Sequence, residues 1–275
     1  MDKLVTFYNP RQNVDENDSF SPSAGKPRLV VEAYADSLKI ISDWSPVTKE
    51  DIYLAHERHH VDDILSCKKL NGFSNTSKEI ADSLYWTIGS LYNAARYAYL
   101  NKTVAFSPTS GFHHATYDKS MGFCTFNGLI IAAMLLKKNE KVKNIGIIDF
   151  DMHWGNGTID IMKRCEVDYV RHMAFSDQIG NDYKDWLENL PRMLEVRFAQ
   201  SDILFYQAGA DPHFDDPIGR QLTTEQMELR DRIVLTFAKE RGIPIVWNLA
   251  GGYQSPVDRV VALHGITIGL CLEIF

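Results

Sequence analysis

The sequence has few cysteines and no cysteine motif. Only four occur in 275 residues, they stand far apart, and no two of them form a C-x-x-C pair. This spacing excludes a zinc ribbon of the usual kind and supplies no disulfide framework. We therefore expect reduced thiols in a cytoplasm-like compartment, at Cys67, Cys124, Cys165 and Cys271.

The sequence also lacks a long apolar run and an excess of basic residues. Its N-terminus has no apolar signal-peptide core, and no uninterrupted run reaches the roughly 20 residues that span a membrane. The formal net charge is −7 at pH 7, so no basic surface for nucleic acid is indicated. We expect a soluble, cytoplasmic protein that binds neither membranes nor nucleic acid directly. The sequence leaves its oligomeric state open.

Alternating strand and helix patterns are present along the chain. Hydrophobic residues make up 45% of it, enough for a sizeable core. We find no repeat, low-complexity block or domain boundary, so we predict one domain over residues 1–275. The alternation favours a mainly parallel sheet with helices on both faces. The predicted strands are 4–8, 103–106, 144–150, 167–173, 203–210 and 243–250. The predicted helices are 26–43, a short one after 48, 77–100, 127–138, 158–165, 183–200, 223–241 and 257–274.

Three histidines follow the predicted helix start at Thr48, namely His56, His59 and His60. The His-x-x-x-His spacing of His56 and His60 can hold a metal ion on a helix. Charged residues surround all three, and such surroundings favour a solvent-exposed helix face. We therefore predict exposed histidines here and no metal site.

The apolar run at 144–148 leads directly into Asp149, Asp151 and His153. Such a run predicts a buried strand, and side chains at every second position share one side of a strand. Buried carboxylates are costly unless something compensates their charge, and a divalent cation is the simplest compensator. The alternative is an Asp that caps the next helix and a His that is satisfied by hydrogen bonds. Two carboxylates and a histidine together favour metal.

Polar residues also follow three other predicted strands. His113 and His114 come after the strand at 103–106, Asp211 follows the strand that starts at 203, and Tyr253 follows two glycines after the last strand. Each alone fits a loop histidine, an Asx-turn or a tight turn. Because ligands bind at the carboxyl ends of parallel strands, their joint presence indicates one site.

The residue types at these strand ends indicate hydrolysis. Asp151, His153 and Asp211 would provide three ligands and leave an open position, as in catalytic metal sites. The adjacent histidine pair is able to transfer protons near neutral pH. The tyrosine hydroxyl is able to stabilise an oxyanion. This combination predicts hydrolysis of an unactivated carbonyl, most simply an amide.

Five stretches resemble the zinc-dependent histone deacetylase family, including its bacterial and acetylpolyamine-type members. They occur in the family's order and span most of the chain after residue 110, which makes the combination specific. The stretches are 111–115 (GFHHA), 122–127 (GFCTFN), 149–158 (DFDMHWGNGT), 208–217 (AGADPHFDDP) and 251–253 (GGY).

The resemblance implies a single-domain, three-layer, arginase-like α/β fold with a central, mainly parallel sheet of eight strands. It implies one catalytic zinc ion held by Asp151, His153 and Asp211. It also implies a potassium ion beside the zinc, bound by Asp149 and the backbone carbonyls of Asp151 and His153. Arg171 falls where many members have a Ser that helps to bind this potassium.

The resemblance also implies roles for side chains around the zinc. His114 would be the general base and acid, oriented by Asn156. His113 would be its electrostatic partner, oriented by Asp149. Trp154 stands where many members carry a second His, at a position that is not a ligand.

The implied substrate channel is less complete. Tyr253 would grip the scissile carbonyl, and Gly122 and Phe123 would form one wall of a tunnel for the acyl-lysine chain. Residues 175–186 lack the aromatic Pro-Gly loop that normally supplies the opposing wall. Phe175 is a replacement candidate in that segment.

The leading hypothesis is a zinc-dependent amidohydrolase that removes an acyl group, most simply acetyl, from an acylated lysine or polyamine. Two alternatives stay open: a two-metal ureohydrolase on the same fold, and a non-catalytic acyl-lysine-binding module. The chain has no obvious extra carboxylates for a second metal. The intact histidine pair and Tyr253 favour catalysis.

Overall fold

The computed structural model describes residues 3–15, 19–178 and 183–275. At its centre is a parallel sheet with the strand order β2-β1-β3-β7-β6-β4-β5. The parallel sheet is confirmed, with seven strands in the described chain, one fewer than the eight that we predicted. The strands are β1 (Leu4–Phe7), β2 (Leu38–Ile41), β3 (Val104–Ser107), β4 (Ile145–Asp149), β5 (Val170–Ala174), β6 (Ile203–Gly209) and β7 (Ile245–Ala250).

Helices cover both faces of the sheet. None of the helices in the described ranges is both long and apolar enough to cross a membrane. They are α1 (Lys26–Ala33), α2 (Lys49–Ile52), α3 (Arg58–Leu65), α4 (Lys78–Asn101), α5 (Gly128–Glu140), α6 (Asn156–Arg164), α7 (Phe175–Gln178), α8 (Tyr183–Phe198), α9 (Thr224–Arg241) and α10 (Asp258–Ile274).

Two hydrophobic layers hold the sheet between these helices. Leu204 and Tyr206 of β6 pack in one layer with buried residues of α8, α9 and α10. Phe205, between them in sequence, packs in the other layer with α4 and α5. This alternation follows from the period of two in a strand. The result is the three-layer α/β architecture that the sequence predicts.

Helix ends follow local signals in the sequence. Thr48 and Asp51 form a capping box at the start of α2, and Thr223 and Gln226 form one at the start of α9. Each box satisfies backbone N–H groups that the first helical turn leaves unpaired. α9 ends at Gly242, whose φ of +63° is a left-handed conformation that glycine adopts readily.

Strand β2 lies where the sequence predicted a helix, because the helical pattern at 26–43 covers two elements. α1 ends at Ala33, and after a short turn β2 pairs with β1 through Leu4 and Leu38. β2 is an edge strand in which only Leu38 is fully buried. The alternation of buried and exposed residues that reveals a strand is therefore missing.

The prediction that the three histidines near α3 are exposed is wrong for two of them. His59 is exposed, but His56 and His60 are each only 1% exposed. His56 Nδ1 lies 2.9 Å from Thr116 O, and its Nε2 accepts a hydrogen bond of 2.8 Å from Asn127 N. The loop before α5 covers this face, and sequence spacing alone does not show that cover.

Candidate metal centre and active site

The site lies at the carboxyl edge of the sheet, where β3, β7, β6 and β4 are neighbours. Asp149 is the last residue of β4, and Asp211 and Tyr253 follow shortly after β6 and β7. His113 and His114 come from the loop after β3. The structure thus brings together the residues of four strand ends, as parallel pairing requires.

Asp151, His153 and Asp211 form a group whose ligand atoms all lie within 4.8 Å of one another. His153 Nδ1 is 3.0 Å from Asp151 Oδ1 and 3.0 Å from Asp211 Oδ2. Both carboxylates are buried, whereas His153 is partly exposed. Solvent therefore reaches the group from the side of the imidazole.

The charges in this group favour a bound cation. Burial and the nearby Asp151 carboxylate raise the pKa of Asp211 to about 7. Hydrogen bonds to the two carboxylates raise the pKa of His153 to about 10. Asp211 Oδ2 is buried and accepts no hydrogen bond of regular geometry from the described residues. One imidazole nitrogen and two carboxylate oxygens that converge in this way fit zinc, which would replace the retained protons.

His113 is buried among carboxylates. Its Nδ1 lies 2.8 Å from Asp149 Oδ2, and its Nε2 lies 3.6 Å from Asp151 Oδ1. Burial alone would lower the pKa of His113, but attraction to Asp149 and Asp151 raises it to about 9. The imidazole is therefore charged at neutral pH in the metal-free protein, and the expected contact with Asp149 is present.

His114 is neutral, in contrast to the charged His113. Its Nδ1 lies 2.7 Å from Asn156 Oδ1. Because an amide oxygen only accepts, Nδ1 carries the hydrogen and Nε2 keeps its lone pair. Burial and the neighbouring His113 lower the pKa of His114, which keeps the ring neutral. The His114 ring lies 5.8 Å from the His153 ring, measured between centroids, so the ring stands beside the metal group.

A glycine turn after β7 positions Tyr253. Gly251 and Gly252 have φ angles of +47° and +89°, which favour glycine. A Cβ on Gly251 would lie 2.1 Å from Asp211 Oδ1, so the turn closes directly on this carboxylate. Tyr253 N donates a hydrogen bond of 2.7 Å to Asp216 Oδ2. Burial raises the pKa of the Tyr253 phenol, so the hydroxyl keeps its hydrogen.

Gly122 and Phe123 border the site, as expected for a channel wall. A Cβ on Gly122 would lie 2.6 Å from His114 Cδ2, so any larger residue would displace that imidazole. The Phe123 ring lies 5.8 Å from the Tyr253 ring. The ring of Phe20, which is 75% exposed, lies 5.1 Å from Phe123 and 5.9 Å from Tyr253.

Phe175 does not line the site. It is buried in the core, where its ring packs against Phe150 and Trp186. Residues 179–182 of the same segment lie outside the described residues. Phe20, from the loop before α1, is instead an aromatic side chain beside Phe123. The sequence gives no signal for it, because it stands in a polar loop far from the other site motifs.

A narrow pocket of about 10 Å³ is lined by Phe123, His113, Asp151 and Tyr253, among others. A water molecule needs a cavity of about 10–15 Å³. The pocket therefore has room for about one water molecule next to the metal group.

Three buried residues near the site have no signal in the sequence. Gln207 Nε2 donates a hydrogen bond of 2.6 Å to Asp149 Oδ1. His172 Nε2 lies 3.5 Å from Asp149 Oδ2. Lys26 Nζ donates to Gly251 O, and burial lowers the pKa of Lys26 to about 8. Each partner is distant in sequence, so these contacts arise from strand register and helix packing.

Comparisons with known proteins agree with this architecture. The histone deacetylase domain family matches residues 24–169 and 169–265. A protein named histone deacetylase 2 from Arabidopsis thaliana is 32% identical over 174 residues, which cover 55% of this chain and 45% of that protein. A probable deacetylase from Methanothermobacter thermautotrophicus is 31% identical over 173 residues, which cover 52% of this chain and 51% of that protein. The match spans about half of the length of these relatives.

A solved structure shows the same fold over the whole chain. The crystal structure of an acetylpolyamine aminohydrolase from Burkholderia pseudomallei matches with a TM-score of 0.78, at 18% identity and over 99% of both chains. Together with the family match, this confirms the resemblance that the five motifs indicate. The chain belongs to the histone deacetylase domain family.

Proposed function

We propose that this protein is a zinc-dependent amidohydrolase that removes an acyl group, most simply acetyl, from an acylated amine such as acetyl-lysine or an acetylpolyamine. The observation that carries the proposal is the convergence of three metal-ligand side chains with two histidines of opposite pKa shift around one pocket. The names of the relatives support deacetylation, and the shared fold of an acetylpolyamine aminohydrolase supports an acylated amine as substrate.

Asp151, His153 and Asp211 would hold the zinc ion. Zinc bound there supplies a Lewis acid for the acyl carbonyl and lowers the pKa of a water molecule. The glycine turn that closes on Asp211 keeps this carboxylate in place.

His114 is the proton acceptor in this proposal. Asn156 holds the hydrogen on Nδ1, so Nε2 is free to accept a proton from the attacking water. The lowered pKa keeps the imidazole neutral before that step. Nε2 then donates the proton to the departing amine nitrogen as the C–N bond breaks.

His113 and Tyr253 would stabilise the negative charge that develops on the acyl oxygen. In the metal-free protein Asp149 and Asp151 raise the pKa of His113, and its imidazole would stand beside the developing oxyanion as an electrostatic partner. Burial keeps the hydrogen on the Tyr253 hydroxyl, which donates a hydrogen bond to the acyl oxygen. Phe123 provides an apolar wall for the substrate chain.

The proposal is tested by adding one equivalent of zinc to metal-free protein and measuring amine release from a panel of acetyl-lysine peptides and acetylated polyamines. We expect turnover with zinc and loss of turnover after chelation. Asp211→Asn should lose both bound zinc and turnover. Asp215→Asn, which changes an exposed carboxylate on the same loop, should keep both.

Other outcomes would support the alternatives. Tight binding of acetyl-lysine peptides without turnover by zinc-loaded protein would support a binding module. Two bound metal ions per chain would support a ureohydrolase. In the described part of the chain, one group of three potential ligands is found, which favours a single metal ion.

A further inference from the structure

His172 occupies a position beside the active site that the sequence did not predict. It lies in the middle of β5, and its side chain is 1% exposed. Its Nε2 lies 3.5 Å from Asp149 Oδ2, and neither ring nitrogen makes a hydrogen bond of regular geometry with the described residues. A buried imidazole without hydrogen-bond partners is unusual in the interior of a strand and needs a structural explanation.

Strand alternation explains why His172 faces the site and its neighbour does not. β5 has the burial pattern buried, exposed, buried, buried, buried, with Arg171 at the exposed position. β5 pairs with β4, and Asp149 is the last residue of β4. The position at which related proteins place a potassium-binding Ser thus points away from Asp149, and an imidazole approaches Asp149 instead.

Nitrogen atoms surround both oxygens of the Asp149 carboxylate. His113 Nδ1 lies 2.8 Å from Oδ2, and His172 Nε2 lies 3.5 Å from the same oxygen without a regular hydrogen bond. Gln207 Nε2 and the backbone N of Asp151 donate to Oδ1, at 2.6 Å and 3.4 Å. A carboxylate offers about four lone-pair sites, so hydrogen bonds occupy three of them and the His172 ring stands beside the fourth.

The loop that would complete a potassium site packs tightly against the His172 imidazole. A Cβ on Gly155 would lie 2.8 Å from Asp149 Oδ2 and 3.0 Å from both Cε1 and Nε2 of His172. The backbone at Gly155 therefore packs directly against both groups. Hard cations prefer oxygen ligands, and the β5 side chain that lies against the Asp149 carboxylate here offers nitrogen. These residues do not fit potassium.

We infer that His172 takes the place of the monovalent cation that related proteins bind beside the zinc, and that this protein functions without potassium. A histidine ring carries at least one N–H in either protonation state, so it is able to hold Asp149 by hydrogen bonding. Asp149 in turn orients His113. His172 is thus a positioning residue that acts through Asp149.

The first test concerns cation binding and needs no activity. Crystals of the zinc-loaded protein are soaked in thallium(I), an anomalous scatterer that replaces potassium. We expect no anomalous peak at coordination distance from the Asp149 carboxylate. The melting temperature should also be the same in potassium chloride and choline chloride of equal ionic strength. A thallium peak there, or a saturable stabilisation by potassium over choline, would overturn the inference.

The second test makes the protein depend on the cation, and its activity measurement rests on the proposed function. His172→Ala removes the ring and leaves space beside Asp149. In choline chloride we expect turnover to fall about 10- to 100-fold, the usual effect of losing an outer orienting partner. Potassium should restore both turnover and melting temperature.

Two further variants control this test. His172→Gln keeps an N–H donor and should stay independent of potassium. His59→Ala, the same substitution at an exposed histidine, should change nothing. Wild-type turnover from His172→Ala in choline chloride, with no response to potassium, would reject the positioning role. If no variant turns over any substrate but the thallium site is absent, the proposed function fails and the inference about His172 stands.

Discussion

Two histidine pairs in this protein differ in their neighbours, and the difference separates the pair that we propose to be catalytic from one that packs in the protein interior. His113 and His114, with ring centroids 4.0 Å apart, lie among carboxylates. His56 and His60, with ring centroids 6.2 Å apart, lie under the loop before α5. His56 contacts backbone groups, and His60 has a long contact with Ser120 Oγ at 3.4 Å.

Burial alone pushes a histidine toward its neutral form, and the second pair shows this. Burial lowers the pKa of His56 to about 3 and that of His60 to about 4. In the first pair, Asp149 overcomes burial at His113 and raises its pKa to about 9. The charge on His113 then helps to lower the pKa of His114. Only the pair with carboxylates therefore contains one charged and one neutral imidazole in the metal-free protein, and diverging pKa values of this kind are typical of acid–base sites.

The strongest test of this comparison removes one histidine from each pair. His114→Ala should lower kcat by about 10²–10⁴-fold, since the proton acceptor is lost. His60→Ala should lower the melting temperature and leave kcat of the folded protein near the wild-type value. Steady-state kinetics and thermal unfolding measure both effects. Equal losses of kcat in the two variants would abolish the distinction between the pairs.

Removing the Tyr253 hydroxyl, beside His113 and His114, should have the next largest effect on kcat. Tyr253→Phe removes one hydrogen-bond donor to the oxyanion, and we expect kcat to fall about 10²–10³-fold. KM should change little, because the ring still packs against Phe123. Kinetics with an acetyl-lysine peptide measure this, and circular dichroism checks that the fold is kept. A variant with normal kcat would exclude the hydroxyl from the reaction.

Asn156→Ala sharpens the comparison by removing the partner that orients His114. We expect a loss of about 10- to 100-fold in kcat/KM, as for other orienting partners. The hydrogen bond that His114 donates to Asn156 raises the pKa of His114, so its loss lowers that pKa. The acidic limb of the pH–rate profile should therefore move to lower pH. A limb that moves to higher pH would contradict the assignment of His114 as the base.

His113 should affect the pH dependence of stability in metal-free protein in the opposite direction to His56 and His60. The pKa values of His56 and His60 are lowered on folding, so their contribution is complete above pH 6.5 and is lost as pH falls toward 3. Each proton contributes a slope of at most about 1.4 kcal/mol per pH unit. The raised pKa of His113 makes a contribution that is complete below pH 6.5 and is lost as pH rises through 9.

Urea unfolding from pH 4 to 7 measures the first of these effects. Replacing His60 by Gln should reduce the slope, because one titrating group disappears. An unchanged slope would show that the pKa of His60 does not change on folding. Adding zinc should leave the contribution of His56 and His60 to the slope of unfolding free energy against pH unchanged, since these two histidines do not contact the metal group.

The smallest expected effect is a change in KM when the wall of the proposed substrate channel is altered. Phe20→Ala removes a ring that contacts Phe123 and Tyr253. Loss of an aromatic pair costs about 0.5–1.5 kcal/mol, so KM should rise about two- to tenfold while kcat changes little. Val196→Ala, which changes an equally exposed residue on α8, should leave KM unchanged. A normal KM for Phe20→Ala would exclude Phe20 from the substrate channel.

Much of the fold was predictable because its signals are local. The apolar runs of β4, β6 and β7 and the capping boxes of α2 and α9 depend on residues close in sequence. The failures also have local causes. β2 was missed because an edge strand with one fully buried residue shows no alternation. His56 and His60 were assigned to the surface because their helix carries charges, and the loop that buries them lies 60 residues further on.

The site was predictable where a motif follows a strand. The metal group with Asp211, the histidine pair and Tyr253 all stand at strand ends, and the structure brings them together as parallel pairing implies. Gln207 and Lys26 were not predictable. A glutamine within an apolar strand and a lysine at a helix start both resemble ordinary surface residues until the neighbouring elements are in place.

The sequence by itself determined that a parallel α/β sheet carries three carboxylates, three histidines and a tyrosine at its carboxyl edge, because these patterns depend on neighbours along the chain. Only the tertiary structure decided which side chains hold the residues at that edge in position. Strand register places Gln207 opposite Asp149, and the alternation of β5 turns His172 toward Asp149 and Arg171 away from it. Such contacts join residues far apart in sequence, and they form only when several elements pack at once.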